Sequence, residues 1–255
     1  MNDYKATKKN IISEKIEEYA SAIYLNDTTG ENFIENIIHA TNLPELLNRI
    51  NPGSLDESIL EMGFGEGTIT EPLLKAGLKV EIIEGSSKLC KNAEEKYGDN
   101  IIIHCSYFEN FNPPKQYQTV LSLLVLEHVD QPSEVVRKMY DWVKPGGQVI
   151  AVVPNSESLH RQLAVMMGLQ EKNDSLSPRD KIVGHQRVLD LVQLTELFEE
   201  AGFEISEKFG YFLKILPNSM MKNWPTNLIE SLTNISKNLP PNLMANIGLV
   251  AIKPI

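Results

Sequence analysis

From residue 58 to residue 153, short apolar runs alternate with stretches of helical periodicity, and glycines punctuate most of the joints. Residues 58–62, 79–83, 101–104, 119–124 and 148–153 read as buried strands, and 69–76, 88–97 and 135–143 as helices. Strands this short and this continuously apolar need cover on both faces, which predicts a parallel sheet with helices on each side. Upstream, Ile12, Ile16, Tyr19 and Ile23 fall at helical spacing. So do Phe33, Ile37, Ile38, Leu46, Leu47 and Ile50, before Asn51-Pro52-Gly53 breaks the chain. Residues 1–50 are therefore expected to form a helical cap, and 51–155 the α/β core. The rhythm changes after 155. Residues 156–188 are polar, 191–201 are amphipathic, and 203–215 and 248–252 suit two last strands around an insertion at 217–241. Residues 156–255 are read as acceptor-side segments and final strands of the same domain.

The joint after the first strand is Glu61-Met62-Gly63-Phe64-Gly65-Glu66-Gly67-Thr68. Glycines there let the backbone turn tightly and approach a ligand beyond the carboxyl ends of the strands. The spacing is not the G-x-G-x-x-G of dinucleotide enzymes, and Glu61 would repel a pyrophosphate. A carboxylate at that place suits an ammonium group. Glu84 ends the second strand about twenty residues further on, where an acid can accept both hydroxyls of a ribose.

These segments resemble the class I S-adenosylmethionine-dependent methyltransferases, in particular the small-molecule branch that includes the ubiquinone-biosynthesis enzymes. Glu61-x-Gly63-x-Gly65-x-Gly67 is similar to the family's first motif and Glu84 to its ribose acid. Leu126-Glu127-His128-Val129 is similar to its motif after strand four, and Lys144-Pro145-Gly146-Gly147 to its turn into strand five. The resemblance covers roughly residues 55–155. It implies a doubly wound, mostly parallel, seven-stranded Rossmann-like sheet whose last strand is antiparallel, with S-adenosyl-L-methionine as cofactor. The cofactor set it implies is Glu61, Gly63, Phe64, Gly65, Gly67, Glu84, Gly85, Ser86, Ser106, Tyr107, Phe108, Leu124 and Glu127. One departure is Tyr107, which stands where the family often carries an Asp near the adenine; the backbone amides of Tyr107 and Phe108 remain to read that ring.

Methyl transfer asks the protein to position a nucleophile and, where needed, to take its proton, a task suited to histidine. Of five histidines, His39 and His104 read as structural. His128 follows the fourth strand at the rim where the methyl group should sit. His185, in Gly184-His185-Gln186-Arg187, is the first choice for base or acceptor orienter and His128 the second. That segment, with His160 and the stretch 212–218, resembles a methyltransferase subset, which implies an acceptor site there. His160, Arg179, Arg187 and Tyr19 are the expected acceptor-binding residues, and Tyr19 and Tyr24 are placed to close over the cofactor. The paired methionines at 166–167 and 220–221 read as core or lid packing.

Net charge is −10, which disfavours a nucleic-acid partner. Residues 160–188 and 217–255 run the other way, each with an excess of two cations, the second through Lys222, Lys237 and Lys253 against Glu230. An anionic acceptor follows as the expectation. No metal-ligand pattern stands out, and Cys90 and Cys105 are expected as reduced thiols of a cytoplasmic protein with no membrane contact, monomeric or homodimeric. The reading is a methyltransferase acting on oxygen or nitrogen of a small polar metabolite. Methylation of a quinone-like or phenolic ring stands second, and an inert cofactor-binding or partner protein third.

Overall fold

The computed structural model describes residues 14, 16–27, 30–51 and 58–255. Of the expected first helix, the part before residue 14 lies outside them. The described remainder (α1) is α-helical over 16–19 and winds into a π-helix at Ala20–Leu25. Then follow α2 (Asn32–Arg49), β1 (Ser58–Met62), α3 (Thr70–Lys75), β2 (Lys79–Glu84), α4 (Ser87–Tyr97), β3 (Ile101–Cys105), β4 (Tyr117–Leu123), α5 (Pro132–Trp142) and β5 (Val143–Pro154). The remainder of the chain adds α6 (Leu159–Met166), α7 (Pro178–Ile182), α8 (Leu191–Glu200), β6 (Glu204–Tyr211), α9 (Asn218–Met221), α10 (Thr226–Ile235) and β7 (Asn246–Ile252).

One seven-stranded sheet runs in the order β3-β2-β1-β4-β5-β7-β6. The pairs from β3 to β5 are parallel, and β7 is antiparallel to both of its neighbours. The expected doubly wound sheet with an antiparallel last strand is thus present. Side chains on β5 alternate between two buried layers. Ile150 and Val152 face a core with Ile34 and Ile38 of α2, Leu73 of α3 and Leu89 of α4. Val149, Ala151 and Val153 face the other, with Val135 and Met139 of α5 and Leu194 and Phe198 of α8. The period of two along a strand is what lets one segment serve both cores.

The chain runs outward from β1 to β3, then returns to β4, which pairs with β1. That reversal opens a crevice at the carboxyl ends of β1 and β4, the place where an open α/β sheet takes its ligand. Gly63 and Leu124 are the residues just beyond those two ends.

Two expectations need correction. Strand β5 starts at Val143, before the turn residues 144–147. Those residues form an irregularity, since the register steps from Tyr117↔Val143 to Thr119↔Gln148. Cys90 and Cys105 form a disulfide rather than standing as free thiols. Helix α4 begins at the end of β2 and folds back beside β3, so its first turn faces the end of β3 with the two Cα atoms 6.0 Å apart. That pairing comes from the crossover and could not be read from two cysteines fifteen residues apart.

Strand β7 is tightly held between its neighbours. Gly248 pairs with Val152 and Phe209, and a Cβ there would come within 2.5 Å of the Phe209 ring and 2.7 Å of the Ala151 carbonyl oxygen. Gly248→Ala should therefore destabilise the fold by roughly 1–3 kcal/mol, read as a lower denaturation midpoint. An unchanged midpoint would show that β6 can move away from β7 at little cost.

Candidate active site

The crevice is the mouth of a cavity of about 1750 Å³. Its wall draws on the glycine loop, the ends of β2 and β4, the segment around α6 and α7, residues 212–220, and helices α1 and α2. Ligand pockets for small molecules usually hold ~300–1,000 Å³, so this one has room for more than one small partner.

At one end the backbone is bound tightly to carboxylates. The Gly63 N–H donates to the Ile83 carbonyl at 2.8 Å, from a backbone at φ +78° that favours glycine. The Phe64 N–H donates to Glu84 Oε2 at 2.9 Å and the Ser86 N–H to Glu84 Oε1 at 2.7 Å. Glu84 thus ties the first loop to the second. Glu61 is buried beneath the loop with Thr70 Oγ1 donating to its Oε2 at 2.7 Å. Burial pushes Glu61 up to about 8, against the hydroxyl's opposing pull, and raises Glu84 despite its backbone donors. No Lys or Arg pairs with either acid among the described residues. Two buried carboxylates without a cation make an end that attracts positive charge.

The middle of the cavity holds Glu127, His128 and His185. Glu127 is 1% exposed, and neither of its oxygens accepts a hydrogen bond from another residue. His185 Nε2 is 4.0 Å from Glu127 Oε1, too far for a hydrogen bond. Burial lifts Glu127 to about 7, against the pull of His185, and lowers His128 to about 3, with His185 adding to that effect. The two imidazoles meet edge to face, with centroids 4.8 Å apart. His185 Nδ1 is 2.9 Å from Asp180 Oδ1. Asp180 also accepts from Arg161 and from the Ser177 N–H, both at 2.7 Å. Burial would raise the Asp180 carboxyl, but its partners, His185 first, hold it well below the usual range. Nδ1 of His185 is thereby engaged by a carboxylate, and Nε2 is left facing the cavity, the arrangement of an oriented base.

The expected residues gather here with several exceptions. Glu61, Gly63, Phe64, Gly65, Glu84, Gly85, Ser86, Tyr107, Phe108, Leu124, Glu127, His128, His160, Arg179, His185 and Tyr19 all reach the cavity wall. Leu124 does so from a left-handed backbone, φ +58°, its N–H donating to the Val152 carbonyl. Gly67 and Ser106 lie behind the wall. Gly67 makes room for Tyr97 and Phe64, whose atoms would be 2.8 and 2.9 Å from a Cβ, and the Ser106 N–H donates to the Glu84 carbonyl. Arg187 does not line the cavity; its guanidinium donates to the carbonyls of Leu126, Val129 and Asp130 and so holds the Glu127–His128 loop. Lys237 pairs with Glu45, and Lys253 donates to the carbonyls of Tyr140 and Val143, so the cation excess after 217 lies largely outside the cavity. His104 is structural, against Glu81 at 2.9 Å, whereas His39 stands in the cavity wall. Met166, Met167 and Met220 are exposed, and only Met221 is core.

Sequence reasoning singled out none of Asp180, Glu35, Lys214 and Asn218 as individual residues, although the stretches expected to build the acceptor site, around His185 and at 212–218, hold three of them. Ser177-Pro178-Arg179-Asp180 spells a helix start, and the structure has both halves of that capping box. The signal for Asp180 was therefore present, but it pointed to a cap. The contact between Glu35 and Asn218 carried none, because it joins α2 to a segment 183 residues away.

Residues 35–208 match the model of a methyltransferase-domain family. The chain is 29% identical over 175 residues to an uncharacterized methyltransferase of Geobacillus, spanning 65% of this chain and 78% of that protein. It is 31% identical over 102 residues to the ubiquinone biosynthesis O-methyltransferase of Pseudomonas savastanoi, 38% of this chain and 44% of that one. An S-adenosylmethionine-dependent methyltransferase structure from Thermotoga maritima superposes with TM-score 0.63 at 16% identity, covering 92% of this chain and 98% of that one.

The buried Glu127 sets a pH dependence. A carboxyl raised in the folded state favours folding at low pH and loses that contribution as the pH climbs from 4.5 to about 7. Glu127→Gln should therefore gain stability relative to the parent at pH ~8, by up to roughly 3 kcal/mol, and much less at pH ~5. Parallel denaturation curves at the two pH values check this; a difference that does not change with pH would mean that Glu127 is not buried as a charge.

Proposed function

The chain belongs to the S-adenosylmethionine-dependent methyltransferases, and we propose that it methylates a hydroxyl oxygen of a small, polar, anionic metabolite, with the Asp180–His185 pair taking the proton. The cofactor supplies an electrophilic methyl group on a sulfonium. The residues present suit it: Glu61 and Glu84 are buried acids without a cationic partner among the described residues, and the glycine loop lines the cavity. Glu61 would take the ammonium group and Glu84 the ribose hydroxyls, with Tyr107 and Phe108 along the adenine. Helix α1 brings Tyr24 over this end, 3.4 Å from where a Cβ of Gly65 would be, and sets the Tyr19 ring against Gly184, beside His185.

The observation that carries the acceptor reading is the Asp180–His185 contact at 2.9 Å beside Glu127. A neutral amine needs no base, whereas a hydroxyl gains from one, so a carboxylate-oriented imidazole favours oxygen over nitrogen. His185 would hold the hydroxyl through Nε2 and accept its proton as the methyl–oxygen bond forms. His128, lowered by burial, stays neutral there and can orient the acceptor. Acids line the cofactor end, and the cavity's Arg and Lys side chains, Arg161, Arg179 and Lys214, lie on the acceptor-side segments. Arg161 pairs with Asp180 and Arg179 with Glu31, so an anionic acceptor would meet chiefly Lys214 there.

His185→Ala should lower turnover roughly 100- to 10,000-fold while leaving the affinity for S-adenosylhomocysteine within about twofold. Single-turnover rates with a methyl acceptor found by screening, together with calorimetry, measure the two. Full activity in this variant would remove the base from the mechanism.

Binding should also release protons. Glu61, raised to about 8, is protonated near neutral pH, and pairing with an ammonium requires the carboxylate. S-adenosylhomocysteine should bind more tightly as the pH rises from about 6 to about 8, with net proton release seen in buffers of different ionisation enthalpy. Affinity independent of both pH and Glu61→Gln would place the ammonium elsewhere.

A further inference from the structure

Beyond the base and the cofactor acids, the cavity holds a set of polar groups that the fold leaves unused. Lys214 follows β6 in an irregular segment, next but one to Phe212, whose backbone is left-handed at φ +65°. Its ammonium makes no hydrogen bond and no ion pair with a described residue, although it lines the cavity. Burial lowers it, and Glu35 is its chief opposing charge while Arg179 and Arg161 repel it. His160, in the first turn of α6, lines the same cavity, and its Nδ1 is buried without a partner. Burial, followed by the nearby charges of Lys214 and Arg161, takes this imidazole down to about 2, so it stays neutral. Asn218 is 2% exposed. Its Nδ2 donates to Glu35, which fixes the amide's orientation and leaves Oδ1 buried with no donor.

A buried group left unsatisfied is costly, so two of them, His160 Nδ1 and Asn218 Oδ1, on the same wall as an unpaired, half-buried ammonium need a common explanation. Neither core packing nor the base explains them, since Asp180 and Arg161 already satisfy each other at 2.7 Å. Their demands are specific. Lys214 needs an anion, His160 Nδ1 can donate to an oxygen in its Nδ1–H tautomer, and Asn218 Oδ1 needs a hydroxyl or N–H. Glu35 beside them accounts for the requirement of a donor as well as an acid.

We propose that Lys214, His160 and Asn218 form the subsite that selects the acceptor, by holding a carboxylate or phosphate that carries a hydroxyl or N–H group beside it. This rests on reading the cavity as a methyl-transfer site. Lys214 and His160 grip the acid oxygens, Asn218 takes the neighbouring donor, and the reacting hydroxyl is thereby directed toward His185. Lys214 sets specificity through the anion and takes no part in the proton transfer.

The test uses the full chain saturated with S-adenosylhomocysteine, at low ionic strength, with inorganic phosphate and malonate as probes. Either anion should raise the melting temperature in a saturable, concentration-dependent way. Lys214→Met should weaken that response by roughly 10- to 100-fold in apparent affinity, and Lys172→Met, at an exposed lysine that does not line the cavity, should not. Response to phosphate alone assigns a phosphate ester, and response to malonate alone a carboxylic acid. No response to either, or an equal response in Lys214→Met, overturns the proposal. Should Lys214→Met fail to fold, crystals of the unaltered complex soaked in selenate decide it: an anomalous peak beside Lys214 Nζ and His160 Nδ1 supports the subsite, and its absence overturns it. Calorimetry with S-adenosylhomocysteine separates the two readings. Cofactor binding without an anion response sinks only the subsite, whereas loss of cofactor binding by the unaltered protein sinks the proposed function itself.

Discussion

The Glu84 carboxylate, shared between the backbone of two loops, is the contact on which the glycine-loop end of the cavity depends. Its two oxygens accept from Phe64 N–H and Ser86 N–H, and its own carbonyl accepts from Ser106 N–H. Three successive strand ends, β1, β2 and β3, are thereby held in one register at the crevice. Hydrogen bonds to an ionised acceptor are the stronger kind, and burial makes them more so. The same burial raises the acid, so the contact stores an attraction for hydrogen-bond donors and positive charge that the protein itself does not satisfy.

A division of charge runs through the cavity from that point. Glu61, Glu84 and Glu127 are all raised, mainly by burial, while Lys214 and His160 are lowered by it. A protein could relieve both groups by pairing them, and Arg161 with Asp180 shows that this chain does so elsewhere. Burial without such pairing works against the charged form of each group, and partners of opposite sign would favour it. The fold meets the cost of that burial with two packed cores on either face of the sheet.

Between the two ends, positioning is done by backbone contacts. Arg187 donates to three carbonyls of the loop that carries Glu127 and His128, and Gln186 N–H donates to the Glu127 carbonyl. The capping box of α7 fixes Asp180, and Asp180 fixes the ring of His185. Two stretches about sixty residues apart are locked into a single unit, so the histidine pair keeps its geometry through groups that touch no ligand.

Local order in the sequence determined much of this. Apolar runs of four to six residues marked the strands, glycines marked the joints, and the spacing Glu61-Gly63-Gly65 with Glu84 some twenty residues on marked one end of the cavity wall, because all of it lies within one crossover unit. His185 was legible as a residue type near a glycine. What the sequence could not determine was which charges are used up. Arg187 and Arg179 look alike in a polar stretch, yet one is spent on carbonyls and the other reaches the cavity and pairs with Glu31 across to α2. The stretch 212–218 was marked only as a segment, and that Lys214 and Asn218 in it meet Glu35 could not be read there, since their proximity exists only after β6, the segment that follows it and α2 have closed around the crevice. Hydrophobic periodicity is a property of neighbours along the chain, whereas desolvation and pairing are properties of neighbours in space, and only the folded structure decides those.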